Sequence, residues 1–304
     1  MTVNRLAAGE VGEIGAAAVR ELSARAIGVE PIGVYAADKE FDWKPIHDGG
    51  WDWIGVPEAA LGGGASLRDL AEVAQAWGET LVPLPLLETI WCKRWSGAAR
   101  DVSGPVTLSV PRHAFPSTED GDQDRVVEGL APFGQGSVPI IRAVDSDHDS
   151  VDDSSLRLPE TFAPTLRLAA VTFTTSMPAV AAQELAVLWA AECVGAAKAL
   201  VTTSVDYAKN RTQFGQPIGR FQVIKHRLAD MYANAELGHT AAVWASHEPG
   251  QAGRAARSAI DAGILVAQSA IQVHGGMGFT WEMGLHYYLR SMLVRRELVS
   301  ALDI

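Results

Sequence analysis

Cysteine is nearly absent: the chain has two in 304 residues. Cys92 and Cys193 each fall in an apolar stretch of helical pattern, which excludes a disulfide framework and is expected of buried thiols in a reducing, cytoplasmic setting. No uninterrupted apolar run approaches eighteen residues, so no membrane span is expected. No basic leader with an apolar centre precedes Val3 to Arg25, so no secretion signal is expected either. Positive charge is short as well, with 25 Lys and Arg against 36 Asp and Glu and a net charge of −11. Without a basic cluster, nucleic acid and anionic membrane are not expected as partners. Local basic groups still suffice to hold an anionic ligand. Metal-ligand spacing is missing too. Asp145 to Asp153 holds five Asp in nine residues, but no Gly and no closing Glu at the spacing of a calcium loop, so a solvated turn is expected. His274 and His286 are not at ligand spacing, and no metal is expected.

What the chain does have is apolar mass: 48% hydrophobic residues, 20% charged and nine Trp. That is a soluble globular composition, with length for two or three domains around an ample core. Val3 to Ala26 reads as a helix by propensity. After a loop at Pro31 and the stretch Lys44 to Trp53, Ser66 and Asp69 form a capping box that opens a helix through Gly78. Pro83 and Pro85 stop that helix and start another near Leu86. From about Gly104 the pattern changes. Val106 to Val110, Arg125 to Glu128, Ser137 to Val144, Ser155 to Leu158 and Leu166 to Phe173 are short alternating or β-branched segments divided by turn residues. Beyond about Ala182, four long helical stripes imply a bundle. The reading is a mainly α protein with a small central β domain: a helical domain over 1–100, an abbreviated β domain over 101–176, and a four-helix bundle over 177–304.

Two stretches carry the chemistry. In YAKNRTQFGQPIGRFQ, Tyr207 to Gln222, a long Ala-rich helix delivers Arg211 to a turn containing Gly215, Pro217 and Gly219, after which a second helical stripe begins. A guanidinium fork, the aromatic face of Phe214 and free N–H groups at a helix start suit a phosphate or pyrophosphate. A plain helix hairpin whose Arg caps carbonyls would read the same way. About sixty residues later QVHGGMGFTWE, Gln272 to Glu282, places a Gly-rich turn after another apolar helix.

Together these stretches resemble the C-terminal domain of the acyl-CoA dehydrogenases, whose R-x-x-F-G…Q and Q-x-x-G-G-x-G motifs contact FAD, commonly across a subunit interface. The phrase GWDWIGVPEAALGGG with the following PLPLLE resembles the same family's N-terminal helical domain. The resemblance implies FAD as cofactor and an acyl-CoA as substrate. It implies Arg211, Phe214, Ile218, Phe221, Gln272, Val273, Gly275 and Gly276 as flavin contacts, and an electron-transfer flavoprotein as a possible acceptor. The family's catalytic Glu stands at one of two positions, which here are Leu185 and Val299. Glu184, one residue off, is the one candidate base, and one residue turns a helix by about 100°. Glu192, on the buried stripe, reads as an ion-pair partner. Glu282 is open between contacting substrate and capping a helix. The pattern resembles the shortened, base-lacking subunit of heteromeric bacterial relatives that act on steroid side-chain CoA thioesters. The expected partner is thus a second acyl-CoA dehydrogenase chain. A homodimer or homotetramer using Glu184, and a scaffold of the same fold without catalysis, are the alternatives.

Overall fold

The structure is a computed structural model, and it describes residues 6–27, 41–111, 126–134, 138, 140–141, 151–152, 156–157, 163–174, 177–302 and 304. The loop at Pro31, the polar loop over 117–123 and most of the Asp-rich run lie outside the described residues.

The N-terminal part is helical: α1 (Glu10–Ile27), α2 (Lys44–Asp48), α3 (Leu67–Gly78), α4 (Leu86–Trp95) and α5 (Gly97–Arg100), with short 3-10 turns at Trp51–Trp53 and Glu58–Ala60. The capping box is present, with Ser66 Oγ accepting from the Asp69 N–H and the Asp69 carboxylate accepting from the Ser66 N–H. Asp69 also takes the Gly9 N–H at 2.6 Å, which holds the start of α1 against the start of α3. The first helix therefore opens at Glu10 rather than at Val3. Lys44 to Trp53 is likewise two elements, because Gly50 at φ 71° breaks α2 from the following turn.

The β part is small. Strands β1 (Thr107–Leu108), β2 (Val110–Pro111), β3 (Val126–Ala131), β4 (Ile140–Ile141), β5 (Val151–Asp152), β6 (Leu156–Arg157) and β7 (Ala169–Thr174) form two sheets, ordered β2-β3-β7-β6 and β1-β4-β5. The β3–β7 ladder runs antiparallel from Val126 opposite Thr174 to Ala131 opposite Ala169. Two expectations are corrected. Pro164–Leu166 is a 3-10 turn and the last strand starts only at Ala169, after Arg167 reverses the chain at φ 41°. Within the Asp-rich run, Val151–Asp152 pairs with β4 as a strand.

The bundle consists of α6 (Ala179–Asn210), α7 (Gln222–Ala245), α8 (Ala252–His274) and α9 (Leu285–Ala301). By length and composition α6 is apolar enough to cross a membrane, but 78% of its most apolar window is buried inside the fold. Helix α8 packs against α6, α7 and α9, and α3 lies across α6. That crossing depends on two glycines. A Cβ on Gly195 would stand 1.8 Å from the Gln75 carbonyl oxygen, and one on Gly78 would stand 1.9 Å from that of Glu192. Gly195→Ala is accordingly expected to cost about 2 kcal/mol or more through forced separation of the two backbones, measurable as a lowered urea midpoint. A surface Gly250→Ala change, with open space around its Cβ, should leave the midpoint in place.

Charge is buried where three helices meet. Arg295 of α9 donates to Glu88 of α4 at 2.7 Å and to Glu192 of α6 at 2.8 Å. Trp189 donates its indole N–H to Glu88 at 2.8 Å and lies under the guanidinium. Burial pushes the Glu192 carboxyl above its usual range, against the pull of Arg295 and with the push of Glu88. Cys92 and Cys193 are both buried and neither forms a disulfide.

Candidate functional site

Helix α6 ends at Asn210, and Arg211 follows in extended conformation with its N–H still bonded to the Tyr207 carbonyl at 2.8 Å. The chain then makes a miniature hairpin of β8 (Thr212–Gln213) and β9 (Gln216–Pro217). Its two turn residues, Phe214 and Gly215, have φ 52° and 77°, the left-handed pair of a type I′ turn. A Phe in that conformation is unusual. It is carried at the hairpin tip, 92% exposed, with its ring edge-on to Phe221 at 6.0 Å between centroids. A 3-10 turn, Ile218–Arg220, leads into α7, whose N-cap Phe221 has no side-chain acceptor and whose first turn has no acid. The Ile224 N–H bonds back to the Phe221 carbonyl at 3.1 Å, so the N–H groups of Gln222 and Val223 are the ones such a helix start leaves for an anion. Among the described residues the Arg211 guanidinium makes no ion pair.

The Gly-rich turn closes on this hairpin from α8. Gly275 ends the helix at φ 60°, ψ −136°, which only glycine adopts without strain. A Cβ on Gly278 would stand 2.4 Å from the Ile271 carbonyl oxygen. Gly276 differs, since its φ is ordinary and a Cβ there would meet nothing within 4 Å. The His274 ring stacks on Tyr207 at 4.1 Å, and the Tyr207 hydroxyl donates to the His274 carbonyl at 3.3 Å. These contacts join the two motifs.

The product is an open cleft of about 680 Å³. Of the residues singled out in the sequence, Arg211, Phe214, Ile218, Phe221, Val273, Gly275 and Gly276 line it. Gln272 does not; it faces solvent on α8. Tyr207, His274 and Met277 line it without having been singled out as contacts. Tyr207 was readable in principle, because it stands in the last turn of α6, four residues before Arg211.

The candidate base lies elsewhere. The Glu184 carboxylate accepts from Arg94 Nε at 2.8 Å and from the Trp95 indole at 2.9 Å, tying α6 to α4. Leu185 and Val299 are both 0% exposed in the core. Glu282 is exposed and is held below the usual carboxylate range by its own backbone N–H and the Thr280 hydroxyl; it does not cap α9, whose N-cap Gly284 has no side-chain hydrogen bond.

Comparison with known proteins decides the family. The C-terminal domain of acyl-CoA dehydrogenases matches residues 182–298 as a family profile. Acyl-CoA dehydrogenase IpdE2 of Mycobacterium tuberculosis is 33% identical over 84% of this chain and 82% of its own. The chain belongs to the acyl-CoA dehydrogenase family. This acyl-CoA dehydrogenase chain is also 32% identical to FadE34 of the same organism, over 82% of its length but only 39% of FadE34. In architecture it is similar to a variant of the Tcur3481–Tcur3483 steroid ACAD, with a TM-score of 0.76 at 19% identity, covering 97% of this chain and 95% of that one.

The cofactor that membership implies is FAD, and the cleft can be tested against it. Arg211 offers an unpaired fork of the shape a pyrophosphate takes. Gly276 is glycine at a position where neither backbone conformation nor packing among the described residues requires it, leaving room for a ligand to approach the backbone. The residues present fit the dinucleotide end of the group.

Proposed function

We propose that this chain is the base-lacking subunit of a heteromeric acyl-CoA dehydrogenase that desaturates a bulky acyl-CoA thioester of the steroid side-chain class. In this reading it supplies flavin contacts across the interface to a second, catalytic chain. The observation that carries it is the cleft, which gathers residues of both flavin motifs and, among the described residues, has no carboxylate in its wall. Removing the α proton needs a positioned carboxylate. The bound flavin supplies the acceptor for the hydride that leaves the β carbon. Arg211 holds the phosphates, Gly276 lets them come close, and Phe214 projects from the hairpin tip where a partner surface would cover it. At the two positions where the family carries its base, Leu185 and Val299 exclude water but can take no proton. The match to FadE34 fits the same reading, because it covers only 39% of that longer chain and leaves more than half of it outside the part this chain resembles.

The test is the absorbance spectrum of the chain purified alone and after co-expression with any acyl-CoA dehydrogenase encoded beside it. A flavin spectrum that appears only in the complex, at less than one flavin per chain, is expected. Stoichiometric flavin on the lone chain, bleached by an acyl-CoA, would overturn the proposal. The self-sufficient reading has its own check in Glu184→Gln. Because Arg94 and Trp95 occupy that carboxylate, the substitution is expected to lower the melting temperature and leave turnover of the complex unchanged. Loss of turnover with flavin retained would instead make Glu184 the base.

A further inference from the structure

Away from the cleft, α3 and α6 meet backbone to backbone at Gln75 and Gly195. Lys198 stands three residues further along α6, and its Nζ donates to the Gln75 side-chain oxygen at 3.3 Å. His239 of α7 bonds the same oxygen through Nδ1 at 2.8 Å. An ammonium can only donate, so the amide turns its oxygen toward Lys198 and the proton of His239 sits on Nδ1. Gln75 is buried, and Lys198 and His239 are half-buried.

A neutral acceptor sets this lysine apart. Lys93 is buried against Asp52 at 2.7 Å, Lys209 lies 3.5 Å from Asp206, and Lys44 is paired with Asp48. Among the described residues no carboxylate comes within ion-pair reach of Lys198. The charged groups that face it and His239 are Arg20 of α1, Arg68 and Glu72 of α3, Glu79 just after α3, and Glu236 of α7. Glu72 is already bonded to Arg68 at 2.9 Å and Glu79 to Arg20 at 2.8 Å. Burial holds the Lys198 ammonium below its ordinary pKa, against the pull of the three glutamates and with a small push from Arg20. His239 is lowered too, by burial first and by Lys198 second. A half-buried lysine with no counterion, beside a second basic group, is the setting that leaves an amine unprotonated and nucleophilic.

We propose that Lys198 is a site of N-acylation by acyl-CoA thioesters, the class of compound that the family of this chain handles. The neutral amine attacks the thioester carbonyl carbon, the carbon–sulfur bond breaks, and CoA leaves as the thiol with the proton given up by nitrogen. An amide remains on Nζ, and no electrons change hands. The proposal needs family membership alone and not the subunit reading above, so either can fail without the other.

The full chain incubated with acetyl-CoA at neutral pH, with acetyl-lysine followed at each position by peptide mass spectrometry, is the test. Lys44 is the internal control, since it is exposed but Asp48 holds its ammonium above the ordinary value. Reaction follows the fraction of neutral amine, which changes about tenfold for each pKa unit. Lys198 is accordingly expected to react about tenfold faster than Lys44, although Lys44 is the more accessible. Its rate should also level off at a lower pH than that of a free lysine peptide. Gln75→Glu gives the ammonium a carboxylate in place of a neutral oxygen, and should bring the Lys198 rate down to that of Lys44 in a chain whose melt shows it folded. The acetylated nitrogen keeps one N–H for Gln75, so acetylation itself should leave the melting temperature in place. Lys44 reacting as fast as Lys198, or Lys198 reacting only once the chain is unfolded, would overturn the proposal. Both outcomes are read on the wild type, so the test stands even where Gln75→Glu does not fold. A folded Gln75→Glu chain that reacts at the wild-type rate would overturn it as well.

Discussion

Replacing Arg295 by Met is expected to destabilise the chain by about 3–5 kcal/mol, the usual cost of removing one partner from a buried ion pair. The reason is what stays behind. Glu88 and Glu192 are 1% and 5% exposed, and without the guanidinium two carboxylates face each other in the core. The pH dependence has a definite sign. Glu192 already has a raised carboxyl pKa in the folded chain, through burial first and Glu88 third, with Arg295 opposing. A raised acid binds its proton more tightly when folded. Its contribution is present below the ordinary Glu value of about 4.3 and is lost as pH climbs through the raised value. In Arg295→Met the opposing attraction is gone, so the Glu192 carboxyl rises further and the variant should lose stability as pH climbs through that raised value, being weakest above neutrality. Melting temperature against pH checks this. Adding Glu88→Gln and Glu192→Gln should restore much of the loss at pH 7, since the damage comes from uncompensated charge and not from lost volume. A flat profile in Arg295→Met would mean that water reaches the site.

Local signals were legible in the sequence and distant ones were not. Ser66 and Asp69 fix the start of α3, and Pro83 and Pro85 fix the gap before α4, because capping and proline geometry act within a few residues. The Gly turn after His274 was legible for the same reason. The hairpin at Phe214 was not, since the two-residue turn needs a left-handed Phe, a conformation that propensity assigns to Gly, Asn or Asp. Glu192 was readable as a buried ion-pair partner from its stripe, but Arg295 as its mate was not, because the two lie 103 residues apart. The stack of Tyr207 on His274 spans 67 residues and was hidden in the same way. The three glycines of the turn look alike in sequence. In the fold Gly275 answers to its dihedral angles and Gly278 to the Ile271 carbonyl, while Gly276 answers to nothing among the described residues.

That difference allows folding and flavin binding to be separated by one substitution. Gly276→Val is expected to leave the lone chain as stable as wild type to within about 0.5 kcal/mol, the range for surface changes that touch nothing. The same substitution places a branched side chain in the space between Arg211 and the turn. There a phosphate would have to lie against the backbone, so the complex should lose its flavin, with affinity down by about a hundredfold or more. Such a loss corresponds to about 2.7 kcal/mol, comparable to removing a charge-assisted contact. Gly278→Ala is the contrasting control. Its Cβ would meet the Ile271 oxygen at 2.4 Å, so the turn must open and the lone chain itself should melt earlier. Thermal melts of both chains alone, beside flavin content of both complexes, give the comparison. If Gly276→Val kept its flavin, the cleft would not be where the dinucleotide lies, and Arg211 would revert to an arginine at the end of a helix hairpin. If it lost stability as Gly278→Ala does, the open space beside Gly276 would be needed by the fold and would say nothing about a ligand.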